Sequence, residues 1–200
     1  MKVNVVGLTG KKGSGKDAAA SALVAEGWVR LAYGDPLKQE VADAFCVAPE
    51  IFHDRELKET PLASLALANC KDMGFVSAMG WDKDPHQPRS PRWVMQQWGT
   101  DYRRKQDGNY WVARTVQEVR LLLEYGRSVV VTDVRFYNEA TALLELGGSI
   151  VKVVRPNNPY EEGTDGHASE TEMDSFSAAV ELLNNGTQAE LGALLCAAVK

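Results

Sequence analysis

The sequence predicts a doubly wound α/β fold, a parallel sheet with helices on both faces. Three observations carry the prediction. Short apolar runs alternate with stretches of helical periodicity along most of the 200 residues, and such alternation makes the strands parallel and their crossovers right-handed. The first apolar run passes straight into a glycine-rich turn and then a helix, Gly10 to Asp17 being the turn. The chain length suits one domain with a single large core, here residues 1–200.

The elements follow in order. Val3 to Leu8 is a nearly continuous apolar run closed by Gly10, the pattern of a strand buried on both faces. Asp17 to Glu26 spaces Ala19, Ala22, Leu23 and Ala25 as a helix does, and Gly27 stops it. Trp28 to Tyr33 reads as a second strand ended by Gly34-Asp35-Pro36, with helical periodicity resuming from Leu37 to Phe45. Arg92 and Gln96 stand at i, i+4 of a further helix that Gly99-Thr100 is expected to end. Tyr110 to Tyr125 carries Val112, Val116, Val119, Leu122 and Leu123 on one side and closes at Gly126. Ser128 to Thr132 is a third strand, Asn138 to Leu146 a helix with Asn138 as its expected N-cap, and Ile150 to Val154 a fourth strand. A fifth strand near Val180 to Leu183 precedes a last helix, Gln188 to Val199.

Two stretches break the rhythm. Lys71 to Pro91 holds three prolines and many charges without a period, and Asn157 to Glu170 is polar, with Pro159, Gly163 and Gly166. Loops this long in a compact domain are usually lids, binding loops or disordered segments. In the second of them, Ser169 and Glu172 have capping-box spacing.

Composition narrows the function. With 22 Lys+Arg against 27 Asp+Glu, the net charge of −5 argues against a protein that grips polynucleotide backbones. A local basic pocket for a small phosphorylated ligand is still compatible with it. The three cysteines, Cys46, Cys70 and Cys196, form no CxxC pair and support neither a disulfide framework nor a zinc knuckle. The first residues do not read as a signal peptide, and no apolar run is long enough to cross a bilayer. A soluble, cytoplasmic protein without a membrane partner is expected.

Gly10-Lys11-Lys12-Gly13-Ser14-Gly15-Lys16-Asp17 has the G-x4-G-K spacing of a phosphate-binding loop. Glycines let successive N–H groups turn toward an anion, and the helix N-terminus adds its positive end. The loop therefore predicts ATP binding by Gly10, Lys11, Gly13, Ser14, Gly15, Lys16 and Asp17, with Lys16 reaching the β- and γ-phosphates. The residue after the lysine is commonly Ser or Thr, whose hydroxyl binds Mg²⁺, and here it is Asp17. A carboxylate there can hold the ion directly or through water. It is equally a favourable negative residue in a first helical turn.

No Asn-Lys-x-Asp motif follows a late strand, so a GTPase is not indicated. Arg92 and Gln96 share a helix face, where a guanidinium suits a phosphate and an amide suits a base edge; a solvated face is the alternative. Arg103 follows, and Trp93, Trp98, Tyr102, Tyr110 and Trp111 cluster nearby, most of them expected in the core. Asp133 and Arg135 stand just past the third strand, at the edge of a parallel sheet where ligands bind. Asp133 can orient a Mg²⁺ water and Arg135 can bridge the transferring and accepting phosphates, or the two form a structural pair. After the fourth strand, Arg155 can meet the nucleotide, and His167 can contact a ligand or stay solvated.

GLTGKKGSGKD (Gly7 to Asp17), YGDPLK (Tyr33 to Lys38), RWVMQQWGTDYRR (Arg92 to Arg104), TDVRFYNE (Thr132 to Glu139) and GHASE (Gly166 to Glu170) occur in that order. Together they resemble the deoxynucleoside monophosphate (dNMP) kinases of tailed bacteriophages, members of the P-loop nucleotide-kinase superfamily. The Lys-Asp ending of the loop is similar to that family and to animal phosphomevalonate kinases. The resemblance implies a five-stranded sheet of order 2-3-1-4-5, a nucleotide-monophosphate-binding region at about 35–108 and a lid at about 156–172. It implies phosphoryl transfer from ATP, with Mg²⁺, to a dNMP. The implied catalytic set is Lys16, Arg135 and Asp133, with Asp17 and Asp133 toward the metal and Arg155 toward ATP. The implied acceptor set is Asp35, Lys38, Arg92, Gln96, Thr100, Arg103, His167 and Glu170. A homodimer is compatible with this reading. The rivals are a kinase for another small metabolite, of the phosphomevalonate or dephospho-coenzyme A type, and an ATP-holding regulatory module.

Overall fold

All five strands run parallel, as alternating strands and helices require. The computed structural model describes residues 4–54, 56–80, 84–159 and 172–200, and the chain forms two compact units, Met1–Tyr33 with Val112–Lys200, and Gly34–Trp111.

In the first unit the strands are β1 (Val5–Thr9), β2 (Val29–Leu31), β3 (Val129–Val131), β4 (Ser149–Val154) and β5 (Val180–Leu183). They pair in the order β2-β3-β1-β4-β5, with β1 central: Val6 lies opposite Val130 on one side and Ser149 on the other. Every residue of β1 is buried, which explains its unbroken apolar run. Side chains alternate along a strand. Val6 and Leu8 face a core built with Leu23 of helix α1 (Lys16–Ala25) and Leu191 and Leu195 of the C-terminal helix (Gln188–Ala198). These two helices pack so closely that a Cβ on Gly192 would stand 2.7 Å from that of Ala22. The C-terminal helix starts in a reciprocal cap, Thr187 N–H donating to Glu190 Oε2 (2.7 Å) and Glu190 N–H to Thr187 Oγ1 (3.3 Å). Gly7 faces the other way, against Ile150, Leu143 and Val134.

The second unit is helical: α2 (Gly34–Phe45), α3 (Met73–Met79), α4 (Pro91–Gln96) and a π-helical segment, Gln97–Arg104. Asp72 and Ser90 cap α3 and α4 by accepting from Phe75 N–H (2.9 Å) and Trp93 N–H (3.2 Å). Its core is aromatic. Phe75 lies 4.6 Å from Trp98, 5.5 Å from Tyr102 and 6.3 Å from Phe45 between ring centroids, in tilted and edge-on arrangements that ring quadrupoles favour.

Four local expectations are corrected. Gly34-Asp35-Pro36 does not merely end a strand: it is the first turn of α2, where proline's missing N–H costs no hydrogen bond. Gly99-Thr100 does not end the Arg92 helix, which continues in π form to Arg104. Gly99 is there for packing, since a Cβ would approach Leu37 Cδ2 to 3.0 Å, and its carbonyl accepts from Trp111 Nε1 (3.0 Å). The unpatterned stretch Lys71 to Pro91 contains α3, whose seven residues are too few to display a period. Asn138 lies inside the helix Tyr137–Glu145 rather than capping it, because Glu139 reaches back to Phe136 N–H (3.1 Å) and Arg135 N–H (2.7 Å). Ser169 of the expected capping box lies outside the described residues. Glu172 accepts from Tyr137 N–H at 2.8 Å.

Candidate active site

Where β1 meets α1, three backbone features shape the loop from Gly10 to Lys16. Gly10 has φ +137°, and a Cβ on it would meet the Val153 carbonyl oxygen at 2.2 Å, so only glycine fits against β4 there. Ser14 N–H closes a turn onto the Lys11 carbonyl (3.1 Å), and Ser14 itself is buried. The Gly15 carbonyl accepts the first α1 hydrogen bond, from Ala19 N–H at 2.9 Å. Lys16 folds over this turn: its Nζ donates to the carbonyls of Gly10 (2.6 Å) and Lys11 (2.8 Å), with Ser14 Oγ at 3.5 Å. A primary ammonium is thereby held among loop atoms at the positive end of a helix, the chemistry of a polyphosphate grip. Asp17 is exposed in the first turn of α1.

The sheet's carboxyl edge supplies the rest of this unit's polar groups. Asp133, two residues beyond β3, has its carboxylate oriented by Tyr33 N–H, which donates to Oδ1 at 2.6 Å. Arg135 follows, its backbone tied to Glu139, a carboxylate only 2% exposed. Past β4, Arg155 Nη1 lies 3.5 Å from the Gly13 carbonyl and Asn158 Nδ2 donates to the Lys12 carbonyl at 2.7 Å. Past β5, Asn184 Nδ2 donates to the Ser14 carbonyl at 2.8 Å. Beside α1 a recess of about 390 Å³ opens between Arg155, Pro156 and Asn157 on one side and Asn184, Asn185 and Gly186 on the other. Glu139, Asn158 and the recess residues other than Arg155 are not among the individual site residues the sequence predicts, although 156–158 fall in the expected lid. The Asn-Asn-Gly turn immediately after a strand was the available signal.

The second unit arranges its charges differently. Lys38 Nζ pairs with Asp35 at 3.2 Å and approaches His53 Nδ1 at 3.4 Å. Arg92 and Gln96 both sit on α4, and Arg92 Nη1 pairs with Glu59 at 3.3 Å. Thr100 is half-buried in the π segment. Arg103 is drawn inward: its Nε donates to Glu40 Oε2 at 3.1 Å and Nη2 reaches Asp72 Oδ2 at 3.5 Å. Its guanidinium lies 4.8 Å from the Tyr102 ring centre and 5.3 Å from those of Trp98 and Tyr110.

Glu40, absent from the predicted set, is the hub of that network. Burial alone would raise its carboxyl, but hydrogen bonds from Tyr110, Trp98 and Arg103 outweigh it and hold the group below its ordinary value. Two carboxylates against one guanidinium leave this cluster net negative. Arg103 lies against the unit's aromatic rings in this arrangement. His167 and Glu170 lie outside the described residues.

Among the described residues no three His, Cys, Asp or Glu side chains gather to hold a metal alone. None of their helices is long and apolar enough to cross a membrane.

Residues 76–194 match the family model described as deoxynucleotide monophosphate kinase. A protein of Acanthamoeba polyphaga mimivirus named "Putative deoxynucleotide monophosphate kinase" is 33% identical over 196 residues, 92% of this chain and 89% of its own. "Uncharacterized protein ORF77" of Ictalurid herpesvirus 1 (strain Auburn) is 32% identical over 117 residues, 58% of this chain and 51% of its own. Among solved structures, the dephospho-CoA kinase of Campylobacter jejuni aligns over 98% of this chain and 95% of its own, at 12% identity and a TM-score of 0.49.

Proposed function

We propose that this chain, which belongs to the deoxynucleotide monophosphate kinase family, transfers the γ-phosphoryl group of ATP to a deoxynucleoside 5′-monophosphate. The products are ADP and the deoxynucleoside diphosphate. The observation that carries the reading is the loop between β1 and α1, with Lys16 Nζ held 2.6 Å from the Gly10 carbonyl at the helix N-terminus.

An acceptor phosphate has a second pKa of about 6 and is already largely dianionic near neutral pH. Its oxygen forms the new bond to the γ-phosphorus while the bond to the β,γ-bridging oxygen breaks, and ADP keeps that electron pair. No strong general base is required. What the reaction needs is alignment and neutralisation of the charge on the transferring group. In this reading Lys16 exchanges its loop carbonyls for the β- and γ-phosphates. Gly10, Lys11, Gly13, Ser14 and Gly15 shape the cradle, and Arg135 meets the charge that develops in transfer. Arg155 and the recess beside it take the donor's base end. Asp35, Lys38, Arg92, Gln96, Thr100 and Arg103 are the acceptor-side set.

Mg²⁺ is the metal this chemistry calls for, and the donor set fits it: one or two carboxylates, with the remaining positions left to water and phosphate oxygens. Asp17 and Asp133, the latter oriented by Tyr33 N–H at 2.6 Å, would hold it. When bound it supplies charge neutralisation on the phosphates.

The test is a coupled assay of ADP release with the four dNMPs, their ribonucleotide counterparts, phosphomevalonate and dephospho-coenzyme A. ADP release stimulated by at least one dNMP is expected. Turnover that no nucleoside monophosphate stimulates would overturn the reading.

A further inference from the structure

We infer that the phosphate loop is held in its working shape from outside, by Asn158 and Asn184, with Arg155 as a weaker third support. The inference rests on the reading of the loop as a polyphosphate site. Asn158 Nδ2 donates to the Lys12 carbonyl at 2.7 Å, Arg155 Nη1 stands 3.5 Å from that of Gly13, and Asn184 Nδ2 donates to that of Ser14 at 2.8 Å. Three consecutive carbonyls are thus engaged by side chains that enter the chain 142, 146 and 170 residues away.

Peptide geometry gives these contacts their consequence. The loop's peptides are trans, and in a trans peptide the carbonyl and the following N–H point in opposite directions. Fixing the Lys12 and Ser14 carbonyls on the side of β4 and β5 turns the N–H groups of Gly13 and Gly15 away from them. The N–H between, on Ser14, is taken by the Lys11 carbonyl at 3.1 Å. The two supports therefore orient the Gly13 and Gly15 N–H groups, which flank the one the internal turn takes. Gly15 gives the arrangement room as well as its φ of +104°, since a Cβ there would stand 2.5 Å from Asn184 Nδ2. Asn158 is 8% exposed, so its hydrogen bond is sheltered from water. Asn158 and Asn184 act through the loop and are positioning residues.

Inorganic tripolyphosphate is the probe, because it carries phosphates without a base and ignores any change in the recess that Asn184 also lines. Asn158→Asp and Asn184→Asp keep the side-chain shape and replace the donor with a second acceptor; Asn158→Ala and Asn184→Ala remove it. Calorimetric titration of each variant is expected to show tripolyphosphate weakened about five- to tenfold for one lost hydrogen bond, more for the Asp forms, and ATP weakened at least as much. KM for ATP rises with them, KM for the acceptor does not, and the melting temperature of the ligand-free protein moves little in the Ala forms. Wild-type tripolyphosphate affinity in the folded Ala variants would overturn the inference, as would a loss that only tracks unfolding. Both titrations are run without an acceptor. A chain that binds ATP but phosphorylates no dNMP leaves the inference standing, whereas a wild-type chain that binds neither tripolyphosphate nor ATP overturns both.

Discussion

The two units of this chain hold their candidate ligand-binding cations in different surroundings. In the first, the ammonium of Lys16 is held by neutral backbone carbonyls, 2.6 and 2.8 Å away. These carbonyls orient the ammonium at a helix N-terminus, where an incoming phosphate would meet it. In the second, the cations meet carboxylates: Lys38 with Asp35, Arg92 with Glu59, Arg103 with Glu40 and Asp72. A cation paired with a carboxylate must exchange one anion for another before it binds a ligand. Catalytic strength is thus expected to concentrate in the first unit, and selectivity and structure in the second.

The largest effects should follow from removing charge in the first unit. Lys16→Ala is expected to lower kcat/KM for phosphoryl transfer by on the order of 10³-fold, and Arg135→Ala to lower kcat by on the order of 10²-fold, both with near wild-type urea midpoints. Steady-state kinetics beside urea unfolding checks this. Wild-type kcat in Arg135→Ala would move that residue to the structural-pair reading and weaken the contrast between the units.

A middle-sized effect belongs to Glu40. Trp98 Nε1 and Arg103 Nε share its Oε2 at 2.8 and 3.1 Å, and the Tyr110 hydroxyl donates to Oε1. Glu40→Gln removes the charge from a three-donor acceptor and should cost about 2 kcal/mol in urea unfolding, with tripolyphosphate affinity unchanged. The acid dependence has a definite sign. The folded carboxyl sits below its ordinary value of 4.5, so its stabilisation is complete above that pH and is lost as pH falls through the lowered value. Wild type should therefore lose stability faster than Glu40→Gln as pH drops below about 4.5. Parallel acid profiles would remove Glu40 from its place at the hub.

The same contrast explains what could be read from the sequence. The phosphate loop was legible because its chemistry lies in backbone and spacing, which a local string records. The sheet order was legible through a resemblance that covers strand, loop and strand-end motifs together. Glu40 was not, because its partners lie 58, 63 and 70 residues away and nothing near it announces them. The contact of Asn158 with the loop was hidden for the same reason, and a neutral amide leaves no trace in a charge count. Gly99 shows a different limit. Glycine stops helices often enough to be read as a stop, yet here it only makes room for Leu37, and the helix widens and continues.

The smallest effect is the most discriminating, and it concerns Arg92. Its side chain is 15% exposed while that of its partner Glu59 is 60% exposed, so the pair itself contributes well under about 1 kcal/mol. Glu59→Ala should leave the urea midpoint almost unmoved. If Arg92 serves the acceptor phosphate, Glu59 competes with that phosphate for the guanidinium, and removing the competitor lowers the acceptor KM by about two- to threefold, the worth of a weak surface pair. Arg92→Ala should raise the same KM by about tenfold, with the ATP KM unchanged in both variants. Opposite movements of one Michaelis constant are not produced by a loss of folded protein. Equal acceptor KM values in the two variants would make the Arg92 pair a brace, and the second unit's acceptor grip would then have to come from Arg103, Gln96, Lys38 and Thr100.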